Sequence, residues 1–427
     1  MNYQESLQYL YERLPMFQRV GAQAFKKDLT NTIRLLEGLG NPHQKFKSIH
    51  IAGTNGKGSS AHSLAAILQC AGYKTGLYTS PHLKSFTERI RIDGQEVSEE
   101  FVGEFVTRIK SLIEAINPSF FEVTVAMAFE YFNRQQVDIA VIETGLGGRL
   151  DSTNVIDPEL SLITMIGKDH ADMLGNTLPE IASEKAGIIK TGKPIVIGAN
   201  QPELRHVFEQ KATQLNASFY LSNDIQVKQI GRNTTFQTFE LSANGKVEVL
   251  KTDLIASYFL KNIPGVIRAV NVLQKKGWKV SDQAIEEGLA GVKKLTGLKG
   301  RWQVLGENPL LVADISHNEP GLAELFAQVR SLNPTQLHLA IGMVKDKDIA
   351  SILNLFPRNA AFYFTQSSVP RSLPSDQLQD LAQSVGLKGE SYSNVNMALS
   401  VAKKNATSSD MILICGSTFV VAEIEEL

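Results

Sequence analysis

Seven consecutive residues, Gly53-Thr54-Asn55-Gly56-Lys57-Gly58-Ser59, bring together the residue types that hold a phosphate. Glycines let the backbone turn tightly enough for its N–H groups to converge on an anion, and the lysine adds a full positive charge. The residues before them, 48–52, read as a buried strand, and those after them, to about Ala71, read as a helix. The N-terminal dipole of that helix favours the same anion. A lysine in the first helical turn opposes the dipole unless an anion sits there, which argues against a plain turn. The spacing departs from the usual phosphate loop in two ways. Only two residues separate Gly53 from Gly56, and Gly58 stands where a magnesium-binding hydroxyl is expected, with Ser59 one place later.

A magnesium ligand must then come from elsewhere, and Mg²⁺ prefers hard oxygen donors. Ser80 and Glu143 offer oxygens, and His170 offers a nitrogen. Plainer readings stand beside these: Ser80 as a turn residue before Pro81, and His170 as a loop or core histidine. Glu143 ends the apolar run Ile139-Ala140-Val141-Ile142, where a carboxylate needs a partner. Residues 182–190 have the periodicity of an amphipathic helix, on which Lys185 reads as an ordinary surface lysine. Arg301, Asp314, His317 and Asn318 form a last group. It reads either as a cluster reaching over a nucleotide or as a helix start capped by Asn318.

These residues need a scaffold. Helical spacing at 2–14 and 27–38 precedes a strand at 47–52, a helix at 57–71 and a strand at 75–78. A charged run, 84–94, reads as a lid or a hairpin. Helices at 98–115 and 121–135, a strand at 138–143, a strand at 160–166, a helix at 178–189, a strand at 194–198 and a helix at 203–215 continue the alternation. Such alternation predicts a mostly parallel sheet with helices on both faces, whose ligands bind off the carboxyl ends of the strands. Lys57, Ser80, Glu143 and His170 each follow an expected strand. From Phe219 to Asp253 short alternating runs, with Asn244-Gly245 as a turn, predict antiparallel hairpins. Helices near 262–276 and 281–291 follow, and a polar, glycine-containing stretch at 295–300 marks a domain boundary. Strands at 310–314, 336–342, 360–365 and 411–415, with helices at 320–331, 346–354 and 374–385, predict a smaller Rossmann-like α/β domain over 298–427.

The 427 residues, 43% hydrophobic and 20% charged, suit a soluble globular chain of two or three domains. A net charge of −1 gives no basic field for nucleic acid or an anionic membrane. Cys70 and Cys415 each lie in an apolar run and read as buried thiols, which fits a reducing cytoplasm. No stretch reaches the ~18 apolar residues of a membrane span.

The loop resembles that of the Mur ligase superfamily, and its Gly58-Ser59 ending resembles the folate branch, folylpolyglutamate synthase and dihydrofolate synthase. Val141 to Val155, Lys168-Asp169-His170 with Leu174-Gly175, Glu184 to Lys190, the 342–348 run Gly-Met-Val-Lys-Asp-Lys-Asp and Cys415-Gly416-Ser417 match that branch in order, over about residues 20–424. The resemblance implies a P-loop ATPase-like first domain, 1–297, that binds ATP and folate, and a ligase domain, 298–427. It implies that Thr54, Asn55, Gly56, Lys57, Gly58 and Ser59 hold ATP, with Asn262, Arg301 and Asp314, and that His317 lies close by. Lys57, Lys185, Arg301 and His317 would be catalytic. Ser80, Glu143 and His170 would bind Mg²⁺, and Lys185, carbamylated by CO₂, would ligate a second Mg²⁺. Phe121, Glu122, Val123, Thr124, Leu150, Asp151 and Ser152 would line a pterin-side pocket, with His82 along the same route. The implied reaction is ATP-dependent joining of L-glutamate to dihydropteroate or folates through an acyl phosphate, by a cytoplasmic monomer with no nucleic-acid or membrane partner. Two departures stand out. The family's Asp-x-Ala-His-Asn-Pro is here Asp314-Ile315-Ser316-His317-Asn318-Glu319-Pro320, and Phe259-Leu260 stand where a glutamine often precedes Asn262. A peptidoglycan Mur ligase would end the loop in Lys-Thr/Ser-Thr and lack the 147–154 signature. A P-loop nucleotide switch would need an aspartate-glycine switch motif.

Overall fold

The computed structural model describes every residue except 17, 18, 20, 22–25, 27, 244, 346 and 347. The first position of the expected helix 27–38, Asn244 of the expected turn, and Asp346 and Lys347 of the 342–348 run lie outside the described residues. The chain divides into two compact units. The first is Met1–Arg232, Phe236–Asp253 and Phe259–Leu298; the second is Asn233–Thr235, Leu254–Tyr258 and Lys299–Leu427. Two short segments placed in the first domain by the sequence thus pack with the second unit.

The first unit is built on an eight-stranded sheet. Its strands are β1 (Lys47–Ala52), β2 (Thr75–Tyr78), β3 (Ile90–Ile92), β4 (Gln95–Glu96), β5 (Ile139–Glu143), β6 (Leu160–Ile163), β7 (Ile195–Ile197) and β8 (Phe219–Leu221). They lie in the order β4-β3-β2-β5-β1-β6-β7-β8, parallel from β2 to β8. Ile49, Ile51, Val141, Ile142, Leu160 and Leu162 are wholly buried, as a parallel sheet covered by helices requires. The chain runs from β1 past the future place of β5 to β2, returns to fill the gap with β5, and then crosses to the other side of β1 with β6. Crossovers therefore diverge around the carboxyl end of β1, the crevice where ligands of open α/β sheets bind.

The run 84–94 is a hairpin, not a lid. A 3-10 turn, Phe86–Arg89, leads into β3 and β4, and Phe86 to Arg91 are buried. Asp93 (φ 48°) and Gly94 (φ 78°) turn the chain with two left-handed residues, the geometry that suits a tight hairpin. Phe219–Leu221 does not open the antiparallel part; as β8 it extends the large sheet in parallel with β7. Three residues are too few for alternation to reveal a partner. The antiparallel part is the three-stranded sheet β9 (Gln226–Arg232), β10 (Gln237–Ala243) and β11 (Lys246–Thr252).

The second unit holds a six-stranded sheet, β12-β13-β17-β14-β15-β16. Its strands are β12 (Gln303–Glu307), β13 (Leu310–Ala313), β14 (Leu337–Ile341), β15 (Ala361–Phe364), β16 (Gly389–Ser391) and β17 (Met411–Cys415). The two outer strands, β12 and β16, and the helix Val395–Asn405 were not expected from the sequence. Only β12 runs antiparallel to its neighbour.

Gly94 shows how tightly the hairpin is seated. A Cβ there would lie 2.0 Å from the carbonyl oxygen of Leu295, whereas a Cβ on Gly72, also left-handed at φ 87°, would meet nothing within 4 Å. Gly72→Ala should cost the left-handed strain, about 1–2 kcal/mol. Gly94→Ala should cost about 1–3 kcal/mol more, from overpacking against backbone. Urea unfolding midpoints would compare them, and equal losses would mean that the hairpin is not held against residue 295.

Candidate active site

The phosphate-type loop is fastened by its own backbone. Thr54 N–H donates to Met165 O at 2.7 Å, and the Thr54 hydroxyl donates to Gly167 O and accepts from Gly167 N–H, both at 3.0 Å. Thr164, at the end of β6, donates to Asn55 O at 2.8 Å. The helix Lys57–Cys70 begins at Gly56, whose φ of 90° no ordinary side chain favours, and no side chain caps it. The N–H groups of the first turn are therefore left to an anion or solvent. Asn262 packs on this corner: a Cβ on Gly56 would lie 2.4 Å from Asn262 Oδ1. Gly58 and Ser59 are buried in the first turn.

Two lysines meet on one atom here. Lys57 Nζ donates to Gly53 O at 3.0 Å and to Thr54 O at 3.2 Å, and Lys185 Nζ donates to the same Gly53 O at 2.9 Å. Lys185 is no surface lysine; it is 3% exposed, although it sits in the last turn of the helix Leu178–Ala186. Burial, and then the charge of Lys57, lower its pKa to about 7, against the opposing pull of Asp169 and Asp151. An amine in that range is partly neutral at physiological pH and is then nucleophilic.

Ser80 and Glu143 also adjoin: Ser80 N–H donates to Glu143 Oε2 at 3.0 Å, and Glu143 is 5% exposed. Glu143 is in register with Ile51 of β1, two residues before Gly53. His170 (φ 52°) begins the short helix Ala171–Leu174, and its Nε2 lies 3.8 Å from Asp169 Oδ1. Among the described residues no group of three or more His, Cys, Asp and Glu is gathered for a metal. A buried carboxylate beside a serine at the strand ends nevertheless suits Mg²⁺, which is commonly held by one or two carboxylates together with waters and substrate phosphates.

The residues expected around a pterin divide into two sets. Phe121 is half-buried and lies across Gly145, whose Cβ would come within 2.4 Å of the ring. Leu150 is half-buried as well. Glu122 is 2% exposed; its Oε2 accepts from Ser119 N–H at 2.6 Å and its Oε1 has no partner. Val123 and Thr124 lie deeper than Phe121. Both are wholly buried, with the Thr124 hydroxyl bonded to Phe120 O at 2.8 Å, because the helical period turns them into the core. Asp151 and Ser152 are buried too. Asp151 Oδ2 accepts from Leu146 N–H at 2.7 Å, and Oδ1 accepts from the Thr153 N–H at 3.0 Å and hydroxyl at 2.5 Å. Its carboxylate thus holds the 145–151 loop closed, and burial raises its pKa. Since the Thr153 hydroxyl spends its proton on Asp151, His50, 2.8 Å away, must donate to it through Nε2–H. Burial keeps His50 neutral, with a pKa lowered to about 3.

In the second unit Asp314 is wholly buried at the end of β13. It accepts from the Tyr258 hydroxyl (2.6 Å), Trp302 N–H (2.7 Å), Ser316 N–H (2.9 Å) and the Ser316 hydroxyl (2.6 Å). It therefore organises the turn that carries Arg301 and His317. His317 Nδ1 lies 2.9 Å from Ile315 O, and Arg301 Nη1 donates to Gly300 O at 3.4 Å. Asn318 caps the helix Glu319–Leu332. The displaced Pro320 sits in its first turn, where a missing N–H is harmless.

Sequence reasoning overlooked Thr164, Asp169 as a neighbour of Lys185, and Arg89, whose Nε donates to His82 Nδ1 at 2.7 Å. In the sequence Arg89 is one of three charges in the run 86–92, and its burial shows only in the structure.

Comparison with known proteins agrees with this geometry. Residues 51–270 match the Mur ligase middle domain, and residues 300–418 match the Mur ligase glutamate ligase domain. The chain is 32% identical to the dihydrofolate synthase/folylpolyglutamate synthase of Bacillus subtilis, over 99% of this chain and 98% of that protein. E. coli FolC in complex with DHPP and ADP superposes with a TM-score of 0.86 at 30% identity, over 100% of this chain and 97% of that one. A bifunctional folylpolyglutamate synthase/dihydrofolate synthase of Yersinia pestis complexed with AMPPNP and Mn ion gives 0.83 at 29%, over 99% and 97%.

The buried Lys185 sets a pH dependence. Its pKa falls from 10.5 unfolded to about 7 folded. Below pH 7 both states carry the ammonium, and folding bears its full desolvation. Between about 7 and 10.5 the unfolded chain binds more protons, so stability rises with pH. Lys185→Met should therefore raise the melting temperature most near pH 6, with the gain shrinking towards pH 9. Thermal scans across that range check it; a pH-independent gain would contradict the buried amine.

Proposed function

The chain belongs to the folylpolyglutamate synthase/dihydrofolate synthase family of Mur ligases, and we propose the following residue assignment for its reaction. The reaction is ATP-dependent ligation of L-glutamate to folates. The γ-phosphoryl of ATP passes to a folate-side carboxylate, giving an acyl phosphate and ADP. The glutamate amine then attacks the acyl carbon, the amide forms, phosphate leaves and the amine proton goes to solvent. The observation that carries the assignment is the convergence of Lys57 and Lys185 on Gly53 O, beside an uncapped helix start.

Thr54 to Ser59, with Asn262, hold the ATP phosphates in this reading, and Lys57 offsets the charge that develops during transfer. Arg301, Asp314 and His317 serve ATP in this reading, Asp314 by ordering their turn. Ser80, Glu143 and His170 hold a Mg²⁺ ion, which supplies charge neutralisation at the phosphates. The neutral Lys185 amine, with its lowered pKa, attacks CO₂ and forms an N–C bond; one C=O π pair moves to oxygen and the amine proton goes to solvent, leaving a carbamate anion that would hold a second ion. Carbamate formation also removes the repulsion between two ammonium groups. Phe121, Glu122, Val123 and Thr124, with Leu150, Asp151 and Ser152, line the pterin-side pocket in this reading, and His82 lies on the acceptor's route. Residues 1–297 form the ATP- and folate-binding domain and 298–427 the ligase domain of a cytoplasmic monomer. Among the described residues no helix is long and apolar enough to cross a membrane.

The enzyme is proposed to be bifunctional, adding the first glutamate to dihydropteroate as well as lengthening folate tails. Support comes from the half-buried Phe121 ring across Gly145, an aromatic surface suited to stacking on a pterin. The purified protein should form product from 7,8-dihydropteroate and, in parallel, from tetrahydrofolate monoglutamate, each with glutamate and Mg²⁺-ATP. Product from tetrahydrofolate alone would remove the synthase half. Product from neither would contradict the ligase reading.

A further inference from the structure

Arg89 is a buried cation that no carboxylate among the described residues touches. It is 3% exposed at the end of the 3-10 turn Phe86–Arg89, and its guanidinium carbon lies 5.3 Å above the Phe120 ring. Its Nε donates to His82 Nδ1, its guanidinium also reaches the Tyr78 hydroxyl, and among the described residues no carboxylate lies within ion-pair distance of it, the charge of Glu143 acting from farther off. The Tyr78 hydroxyl beside it is wholly buried and neutral, so it gives the guanidinium no counter-charge. A guanidinium held in this way is unfavourable until an anion arrives, and its planar fork, stacked on a ring, is ready to take one with two hydrogen bonds.

His82 adds a second donor. Because Nδ1 accepts from Arg89, the imidazole proton resides on Nε2. The pair belongs to the crevice already described. Arg89 O accepts from Thr79 N–H at 3.0 Å, and the next residue, Ser80, donates its N–H to Glu143.

We propose that Arg89, with His82 Nε2–H, anchors a substrate carboxylate. This inference rests on the ligase reading above. The phosphates have their own cradle at Gly53 to Lys57, so the remaining anions of the reaction are carboxylates, from the pteroate-type acceptor or from the incoming L-glutamate. The cost of burying Arg89 without an anion is then recovered only when the carboxylate is in place.

The test measures binding of 7,8-dihydropteroate and its carboxamide analogue by calorimetry, in the presence of ADP and Mg²⁺, for wild type, Arg89→Gln and Arg89→Lys. KM for glutamate is measured alongside. If the anchor holds the acceptor, wild type prefers the carboxylate by about tenfold to a hundredfold. Arg89→Gln then binds both compounds alike, with the carboxamide unchanged, and Arg89→Lys falls between. If the anchor holds glutamate, the acceptor preference stays and the KM for glutamate rises by a similar factor. Either result supports a carboxylate anchor and identifies its ligand. Wild-type preference and wild-type KM in both variants would overturn the proposal. Should Arg89→Gln fail to fold, Arg89→Lys, which keeps the charge and loses the fork, carries the same comparison. Failure of wild type to bind either compound, with no glutamate-dependent turnover, would strike the ligase reading instead.

Discussion

Two amines share one carbonyl oxygen in the first unit, and the surrounding architecture bears on that contact. Gly53 O accepts from both Lys57 and Lys185, whose side chains come from helices far apart in the sequence. Two ammonium groups on one acceptor repel each other, and Lys185 is buried as well. One of them must shed its proton, or an anion must enter. The lowered pKa of Lys185 is the response visible in the protein itself. An incoming phosphate, and conversion of the Lys185 amine to an anion, would relieve the same strain. The site is thus prepared for anions before any is bound, which is what a phosphoryl-transfer enzyme needs from its scaffold.

Rigid placement comes from the sheet. The divergence of crossovers around β1 puts the loop, Ser80 and Glu143 at one edge, and Thr54 and Thr164 tie the loop to the strand beside it. Buried polar groups then fix the loops around it. Asp151 closes 145–151 through three donors, and Glu88 receives the N–H groups of Leu83, Lys84 and Ser85. Within the second unit Asp314 does the same for the turn bearing Arg301 and His317. In each case a buried carboxylate is stabilised by backbone N–H groups, so loop conformation and carboxylate burial depend on each other.

What could be read in the sequence was what is encoded locally. Strands 47–52, 75–78 and 411–415 fall where their apolar runs put them, because a parallel strand buried on both faces leaves an unbroken signal. Edge strands β12 and β16 are half-exposed and carried no such run. The helix Val395–Asn405 had one usable signal, its cap Asn394. The phosphate-type loop was legible because glycines and lysine lie side by side. The burial of Lys185 was not: it depends on the helix Leu178–Ala186 packing its last turn against a loop 132 residues earlier in the chain. The burial of Arg89 was equally hidden, since Glu88 and Arg91 beside it make the run read as charged.

Lys185 is proposed to be a neutral nucleophile that becomes an anion when the site is charged. Carbon-13 NMR of the protein in ¹³C-bicarbonate near pH 8, with Mg²⁺ and a non-hydrolysable ATP analogue, tests this directly. A carbamate resonance should appear in the wild type and be absent from Lys185→Met under the same conditions. Identical spectra from the two proteins, in a wild-type sample that turns over normally, would contradict it.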